Sequence, residues 1–193
     1  MQTIIIVTGT PCTGKTTIAK KIASLLKFKY IDVNRLIKTN KIHDKYDKKS
    51  DSLIVDIKKL NRILETLIKK SKQNLIIDSH LSHYLPNKII NLCIVTKCDI
   101  KILKKRLKKR KYNEEKIREN LDSEILDICL NEAIENNHNI IIMDTSRKIN
   151  YKELIKNIHW PNLLCLLLNS STALIKSCFS NSGHILSKKI NSA

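Results

Sequence analysis

The feature that most constrains the fold of this chain is an eight-residue loop at positions 9–16, with the sequence GTPCTGKT. The loop directly follows an apolar, β-branched run at 4–8, which is typical of a strand covered on both faces in a parallel sheet. After the loop, apolar residues recur at helical spacing with lysines between them, so a helix begins near Lys15. Two of the three glycines in the chain lie in this one loop. A strand, a glycine loop and a helix in this order predict a backbone turned inward around an anion.

The same loop matches the pattern G-x-x-x-x-G-K-[ST], which binds the phosphates of ATP or GTP. Gly14 permits the close approach of the chain, Lys15 reaches the β- and γ-phosphates, and the hydroxyl of Thr16 is placed to bind Mg²⁺. Thr17 adds a contact to the α-phosphate. We therefore predict an ATP site with magnesium that includes these four residues and Cys12.

The remaining sequence alternates between short apolar runs and amphipathic stretches. Buried strands are predicted at 4–8, 29–31, 75–78, 92–95 and 140–143, and helices at 56–70, 100–110 and 117–134. This alternation predicts one α/β domain, with a five-stranded parallel sheet flanked by helices. Residues 161–193 are rich in Ser, Asn and Leu and break the pattern, so we describe them as a tail of unknown conformation.

Composition leaves the partners of the chain open. The net charge of +18 comes mostly from lysine, and a strongly basic surface attracts phosphate polymers such as RNA. The abundance of Lys, Asn and Ile beside three glycines is equally explained by a codon bias. No secretory leader, membrane-length apolar run or C-x-x-C pair is present, so we expect a soluble protein with reduced thiols in the cytoplasm or nucleus, acting as a monomer.

Several motifs beyond the loop are independent of it. They are TGTP at 8–11, YIDV at 30–33, the acidic series at 47, 51 and 56, IDSH at 77–80 with LP at 85–86, and RLKKRKYNEEKI at 106–117. In this order and at these spacings, over residues 3 to about 158, the chain resembles the adenylate kinase isoenzyme six family. These are small archaeal and eukaryotic P-loop kinases that are also implicated in maturation of the small ribosomal subunit.

The resemblance implies a domain plan. Residues 1–160 form a P-loop NTPase domain of the nucleoside monophosphate kinase kind. A small insertion at about 32–55 binds the monophosphate, and a short lid covers about 109–119. Arg110 falls on the lid arginine of the family, where a guanidinium spreads charge over the transferring phosphoryl group. Arg106, one turn earlier, is a second candidate for this role.

Three further side chains complete the predicted site. Asp78 ends an apolar strand and suits a carboxylate that holds magnesium directly or through water; the alternative is a solvated aspartate at a strand end. His80 resembles the histidine of the D-x-H element of the family and either orients water or phosphate or is structural. Lys148 matches a basic position near the adenine or ribose. We predict Lys15, Arg110, Asp78 and His80 as catalytic residues.

The sequence departs from the family pattern at small residues. Cys12 and Lys111 replace glycines, and Ser79 changes the surroundings of the D-x-H element. Cys12 is either a thiol with a lowered pKa near a helix N-terminus or a tolerated small residue. Each lost glycine removes backbone freedom, so we expect these changes to affect the turnover rate and the lid motion more than ATP binding.

The motifs and the resemblance leave three functions to be compared. The first is phosphoryl transfer from ATP to AMP or another nucleoside monophosphate, together with intrinsic ATPase activity. The second is an assembly factor whose ATP cycle acts on a small-subunit ribosomal protein and pre-rRNA. The third, a polynucleotide 5′-hydroxyl kinase, lacks an evident aspartate base.

Overall fold

The computed structural model describes residues 2–40, 42, 45–47 and 52–157. Along the chain the elements are β1 (Ile4–Thr8), α1 (Lys15–Leu26), β2 (Lys29–Asp32), α2 (Val33–Thr39), β3 (Lys45–Asp47), β4 (Ser52–Ile54), α3 (Ile57–Lys70), β5 (Leu75–Asp78), β6 (Leu92–Lys97), α4 (Ile100–Lys109), α5 (Glu114–Ile125), α6 (Ile128–Glu135), β7 (Ile140–Asp144) and α7 (Tyr151–Asn157). Two short 3₁₀ helices, Ser82–Tyr84 and Asn87–Ile89, lie between β5 and β6.

The central sheet has five parallel strands in the order β2-β5-β1-β6-β7, which confirms the predicted α/β class and all five predicted strands. β1 lies at the centre, so the loop that follows it opens at the middle of the carboxyl edge of the sheet. Because parallel strands end at the same edge, the ends of β5, β6 and β7 face the same region. The fold therefore gathers polar residues from separate strands around one loop.

The two edge strands differ from the prediction that all five strands are buried. β1 and β5 are buried along their whole length, whereas β2 and β7 are only partly buried, and Ile142 of β7 is 57% exposed. Each edge strand has one neighbour in the sheet and lacks the cover that a central strand receives. An apolar run in the sequence predicts a strand, but it does not predict whether that strand lies at the centre or at the edge of the sheet.

One face of the sheet forms the largest core cluster. It combines Ile4, Ile6 and Ile77 from the strands with Leu60 and Leu64 from α3, all almost fully buried. Full burial of each such side chain contributes about 1.5–3 kcal/mol relative to its exposure. α3 begins where Asp56 accepts a hydrogen bond from the backbone N–H of Lys59 at 3.1 Å, so Asp56 is the N-cap of this helix.

The predicted helix at 117–134 is two helices in the structure. α5 ends at Ile125, Asp127 takes a left-handed conformation with φ of 54°, and α6 begins at Ile128. The cause is tertiary: the ammonium of Lys97, at the end of β6, contacts Asp127 and donates to the carbonyl oxygen of Glu124 at 2.9 Å. The prediction of one helix was wrong because the apolar spacing continues through a turn that β6 fixes.

The helix predicted at 100–110 is α4, which ends at Lys109 with Arg110 as its C-cap. Lys111 then takes a φ of 58°, and Asn113 caps α5 by accepting a hydrogen bond from the N–H of Lys116 at 2.8 Å. The stretch at 109–119 is therefore a tight turn followed by the first half of α5.

The stretch at 32–55 begins with α2, which Asp32 caps, and includes the antiparallel pair β3–β4. Residues 150–157 belong to a second compact unit that begins at Asn150, and in them Asn150 and Glu153 cap α7 through reciprocal hydrogen bonds. The tail predicted at 161–193 lies outside the described residues. None of the described helices combines the length and apolar character that a membrane span requires.

Candidate nucleotide-binding site

The loop between β1 and α1 packs directly against β6. Gly9 has a φ of 135°, and a Cβ at this position would lie 2.4 Å from Thr96 Oγ1 and 2.5 Å from the carbonyl oxygen of Thr96. No side chain fits there. Gly14, with a φ of 96°, is the N-cap of α1 and has ordinary spacing to its neighbour Thr145. Gly9 therefore serves the close approach of two strands, and Gly14 serves the turn into the helix.

Threonine side chains hold the loop in shape. Thr13 Oγ1 donates to the carbonyl oxygen of Thr10 at 2.7 Å and lies 2.6 Å from Thr96 Oγ1. Thr96 donates to the carbonyl oxygen of Thr8 at 3.1 Å, and Thr145 donates to that of Thr13 at 2.5 Å. Since these bonds are buried, each replaces contacts with water that the loop cannot make. The loop is ordered by residues of the protein before any ligand binds.

Lys15 lies in the centre of the site and is half-buried. Its Nζ donates to the carbonyl oxygen of Thr10 at 2.8 Å. Burial lowers the pKa of Lys15 to about 8, with the charge of Arg110 adding to the effect and that of Asp78 opposing it. The ammonium is therefore poorly compensated by the protein, which is the condition in which an anionic ligand gains most from binding to it.

Asp78 is the last residue of β5 and is 4% exposed. Its Oδ2 accepts a hydrogen bond from the hydroxyl of Tyr30 at 2.8 Å, and its charge acts on Lys15. Thr16 lies at the exposed start of α1, close to the hydroxyl of Tyr30. A hydroxyl and a carboxylate beside a phosphate loop are the oxygen ligands that Mg²⁺ prefers, with phosphates and water completing its shell. No group of three or more His, Cys, Asp or Glu among the described residues offers an alternative metal site.

His80 lies close to Lys15 and is half-buried. Burial lowers the pKa of His80 to about 4, and the positive charge of Lys15 adds to this, so the imidazole is neutral at pH 7. His83 is structural instead: it is fully buried, with Nδ1 2.7 Å from Thr8 Oγ1 and Nε2 2.8 Å from Glu132 Oε2.

Arg110 and Cys12 meet at the other side of the loop. Arg110 is exposed, and its pKa is raised first by a hydrogen bond with Tyr112 and then by Cys12. Cys12 has a φ of 69° and packs against the apolar cluster between α4 and α5, which includes Leu107. Burial raises the pKa of the Cys12 thiol, although Arg110 and Lys15 act to lower it. The alternative of a thiol with a lowered pKa is therefore wrong.

Arg106 points to the loop after β7. Its guanidinium donates to the carbonyl oxygen of Thr145 at 2.8 Å and to Thr145 Oγ1 at 3.1 Å. Because Thr145 also bonds to the phosphate loop, Arg106 connects α4 to that loop through one residue. Arg106 therefore has a fixed partner in the structure, whereas Arg110 is exposed.

The structure brings five of the predicted site residues into electrostatic contact, namely Cys12, Lys15, Asp78, His80 and Arg110. Thr16 and Thr17 are exposed at the start of α1, and Lys148 is exposed four residues beyond the end of β7. The sequence reasoning missed Tyr30, Thr96 and Thr145. Their positions in the sequence could have indicated them. Each is a polar residue at or near the carboxyl end of a strand, which is where ligand-binding sites lie in parallel sheets.

The sheet order, the glycine loop at the central strand and the carboxylate at the end of the next strand define a P-loop kinase. A model of the family described as AAA domain matches residues 5–127. A Dictyostelium discoideum protein named "Adenylate kinase isoenzyme 6 homolog" is 40% identical over 129 residues, covering 67% of this chain and 73% of that protein. A relative from Methanocaldococcus jannaschii has the same identity over 129 residues, covering 67% of this chain and 71% of its own length. The chain belongs to the adenylate kinase isoenzyme six family.

Solved structures agree on the fold. Shikimate kinase from Acinetobacter baumannii superposes with a TM-score of 0.57 at 16% identity, covering 89% of this chain and 97% of that one. At this identity the likeness shows the fold alone. The family and fold together confirm the predicted P-loop architecture and make the chain a nucleotide kinase that uses ATP.

Proposed function

We propose that the protein transfers the γ-phosphoryl group of ATP to a nucleoside monophosphate, with AMP as the first candidate acceptor. The observation that carries this proposal is the meeting of Lys15, Asp78 and Arg110 at the phosphate loop. Such a transfer needs little covalent chemistry from the protein, because positioning and charge stabilisation account for most of the catalysis. Three charged side chains at one loop supply both.

Lys15 and the loop bind the triphosphate. A phosphate oxygen carries more negative charge than the carbonyl oxygen of Thr10, so ATP takes over the hydrogen bond that Lys15 now makes. The N–H groups at the start of α1 add the positive end of the helix dipole. Thr16 and Asp78 would hold magnesium, which supplies charge neutralisation to the phosphates when bound.

Arg110 stabilises the charge that develops during transfer. We propose that 109–119 is the lid and that its closure moves the exposed guanidinium of Arg110 from Tyr112 and Cys12 onto the transferring group. The insertion at about 32–55 receives the monophosphate in this proposal, and Lys148 lies near the adenine or ribose. Closure excludes water, which strengthens each of these contacts.

His80 gives the site a second activity in this proposal. An acceptor phosphate is already ionised, whereas an attacking water must be oriented and lose a proton. The imidazole of His80, which is neutral at pH 7, can accept a hydrogen bond from this water, which would support an intrinsic ATPase activity. The two activities use one ATP site.

The second candidate is an ATPase assembly factor for the small ribosomal subunit. The observation in its favour is the net charge of +18, which suits a site near pre-rRNA and a ribosomal protein, in the cytoplasm or nucleus. In this version hydrolysis, not AMP phosphorylation, is the physiological reaction. The protein would act as a monomer in either version.

The test is ADP formation from ATP and Mg²⁺ with and without AMP, for the wild type, Lys15→Ala and Lys21→Ala. Lys21 is an exposed lysine on the same helix and provides the matched control. We expect AMP to raise the rate, Lys15→Ala to abolish it, and Lys21→Ala to leave it unchanged. A rate that AMP does not change would move the assembly factor to first place.

A further inference from the structure

Tyr30 reaches the site from a neighbouring strand. In the pairing of β2 with β5, Tyr30 lies opposite Ile76 and Asp32 lies opposite Asp78. Residues two apart along a strand share a face, so Tyr30 lies on the same face of the sheet as Asp78 and one repeat behind it. The length of a tyrosine side chain spans that repeat, and its hydroxyl meets the carboxylate at the end of β5.

The phenol is held between two residues of the predicted magnesium site. Its hydroxyl donates to Asp78 Oδ2 at 2.8 Å, and the hydroxyl of Thr16 lies close to the same phenol. On the other side, the Nζ of Lys20, one turn after Thr16 on α1, lies 5.5 Å from the centroid of the ring. Tyr30 therefore has a fixed orientation, with its single O–H aimed at Asp78.

Asp78 needs such a donor. A carboxylate that is 4% exposed is costly unless it is hydrogen-bonded, and Lys15 is a cation whose charge interacts with it. A direct pair between Asp78 and Lys15 would occupy the group that binds magnesium and the group that binds phosphate at the same time. In the structure Lys15 donates to Thr10 instead, and Tyr30 satisfies Asp78.

We propose that Tyr30 is a positioning residue for the magnesium site. Its hydroxyl holds Oδ2 of Asp78, which leaves Oδ1 for the metal, and it keeps the hydroxyl of Thr16 beside that carboxylate. It also keeps Asp78 from closing onto Lys15. This inference rests on the proposed function, because it takes Thr16 and Asp78 as the residues that hold magnesium.

The test is the affinity of Mn²⁺ in the presence of ADP, measured by electron paramagnetic resonance, for wild type, Tyr30→Phe and Tyr84→Phe. Tyr84 is the matched control, since it is also half-buried and also donates to a carboxylate, that of Glu132, at 2.6 Å. Mutation of a residue that hydrogen-bonds to a metal ligand lowers metal affinity by about 10- to 100-fold. Tyr30→Phe should therefore raise the half-saturating Mn²⁺ concentration by about 10-fold or more. Tyr84→Phe should leave it unchanged.

Kinetics provides a second readout that a merely structural role would not reproduce. Tyr30→Phe should raise the Mg²⁺ concentration that gives half-maximal ADP formation by a similar factor, while kcat at saturating Mg²⁺ stays within about twofold of the wild type, because the ligands themselves remain. An unchanged Mn²⁺ affinity, or an equal loss in Tyr84→Phe, would overturn the proposal.

A third measurement needs no substitution at position 30. In wild-type protein labelled with 3-fluorotyrosine, binding of Mn²⁺ with ADP should broaden the ¹⁹F resonance of Tyr30 most strongly. The resonance is assigned by elimination from single Tyr→Phe variants at the other tyrosines. Broadening of a different tyrosine, or of none, would contradict the proposal. These binding measurements need no phosphoryl acceptor. They therefore test the role of Tyr30 even if AMP is not the substrate, and a lack of AMP-dependent activity would contradict only the proposed function.

Discussion

Replacing Gly9 by alanine tests whether close packing of the loop on β6 is a main source of its order. The new Cβ would lie 2.4 Å from Thr96 Oγ1 and 2.5 Å from the carbonyl oxygen of Thr96, about 1 Å inside ordinary contact. Rotation of the threonine side chain relieves only the first clash, because the second is with backbone. β1 or β6 must move, and the bonds of Thr96 to Thr8 and Thr13 weaken with that movement.

The cost has two parts. Overpacking in a filled site costs about 1–3 kcal/mol, and an alanine at a φ of 135° costs about 1–3 kcal/mol of backbone strain. We expect Gly9→Ala to lower the free energy of unfolding by about 4 kcal/mol, a large fraction of the ~5–15 kcal/mol of an ordinary domain. With an m-value of about 2 kcal/mol/M, the urea midpoint falls by about 2 M.

Gly14→Ala is the matched control. It also places alanine at positive φ, but its Cβ would meet Thr145 at 3.7 Å or more, which is ordinary contact. We expect a loss of about 1–2 kcal/mol from strain alone. Urea unfolding followed by circular dichroism measures both variants. A Gly9→Ala variant no less stable than Gly14→Ala would refute the reasoning, because the clash would then cost nothing.

Three further predictions concern charges. Burial lowers the pKa of His83, so the unfolded chain binds more protons than the folded one as the pH falls below about 6.5, and stability falls with it. Urea midpoints at pH 7 and pH 5 should differ less in His83→Gln than in the wild type; an equal difference contradicts this. Lys97→Met leaves the carboxylate of Glu124, which is 3% exposed, without its cation. We expect this variant to lose about 3 kcal/mol of unfolding free energy in the same urea assay. Lys108→Met removes an exposed ion pair instead and should lose less than about 1 kcal/mol. Equal costs would show that burial of the pair does not matter. Arg110→Ala should lower kcat by about 100-fold or more with ATP affinity within a few-fold of the wild type, measured by initial rates and calorimetry; an unchanged kcat excludes the guanidinium from the chemistry.

Local sequence was sufficient for the loop and for the strands. The prediction placed β1, β5 and the start of α1 correctly because the glycines, the apolar runs and the helical spacing are all contained within a few neighbouring residues. The carboxylate at the end of β5 was also predictable, since a polar residue that closes an apolar strand is visible in the sequence alone.

Features that depend on distant residues were not predictable. The break at Asp127 depends on Lys97, thirty positions earlier, and apolar spacing continues through it. The role of Tyr30 depends on strand register, which places its hydroxyl on Asp78. The pKa of Cys12 rises because the thiol packs against α4 and α5, and a loop position cannot show that packing.

The fate of the γ-phosphate tests the central claim most directly. Wild-type protein is incubated with Mg²⁺, AMP and ATP labelled at the γ-phosphate, and the products are separated. Transfer to AMP predicts label in ADP, in an amount that follows the AMP concentration and disappears in Lys15→Ala. Label found only in inorganic phosphate at every AMP concentration would contradict the kinase proposal.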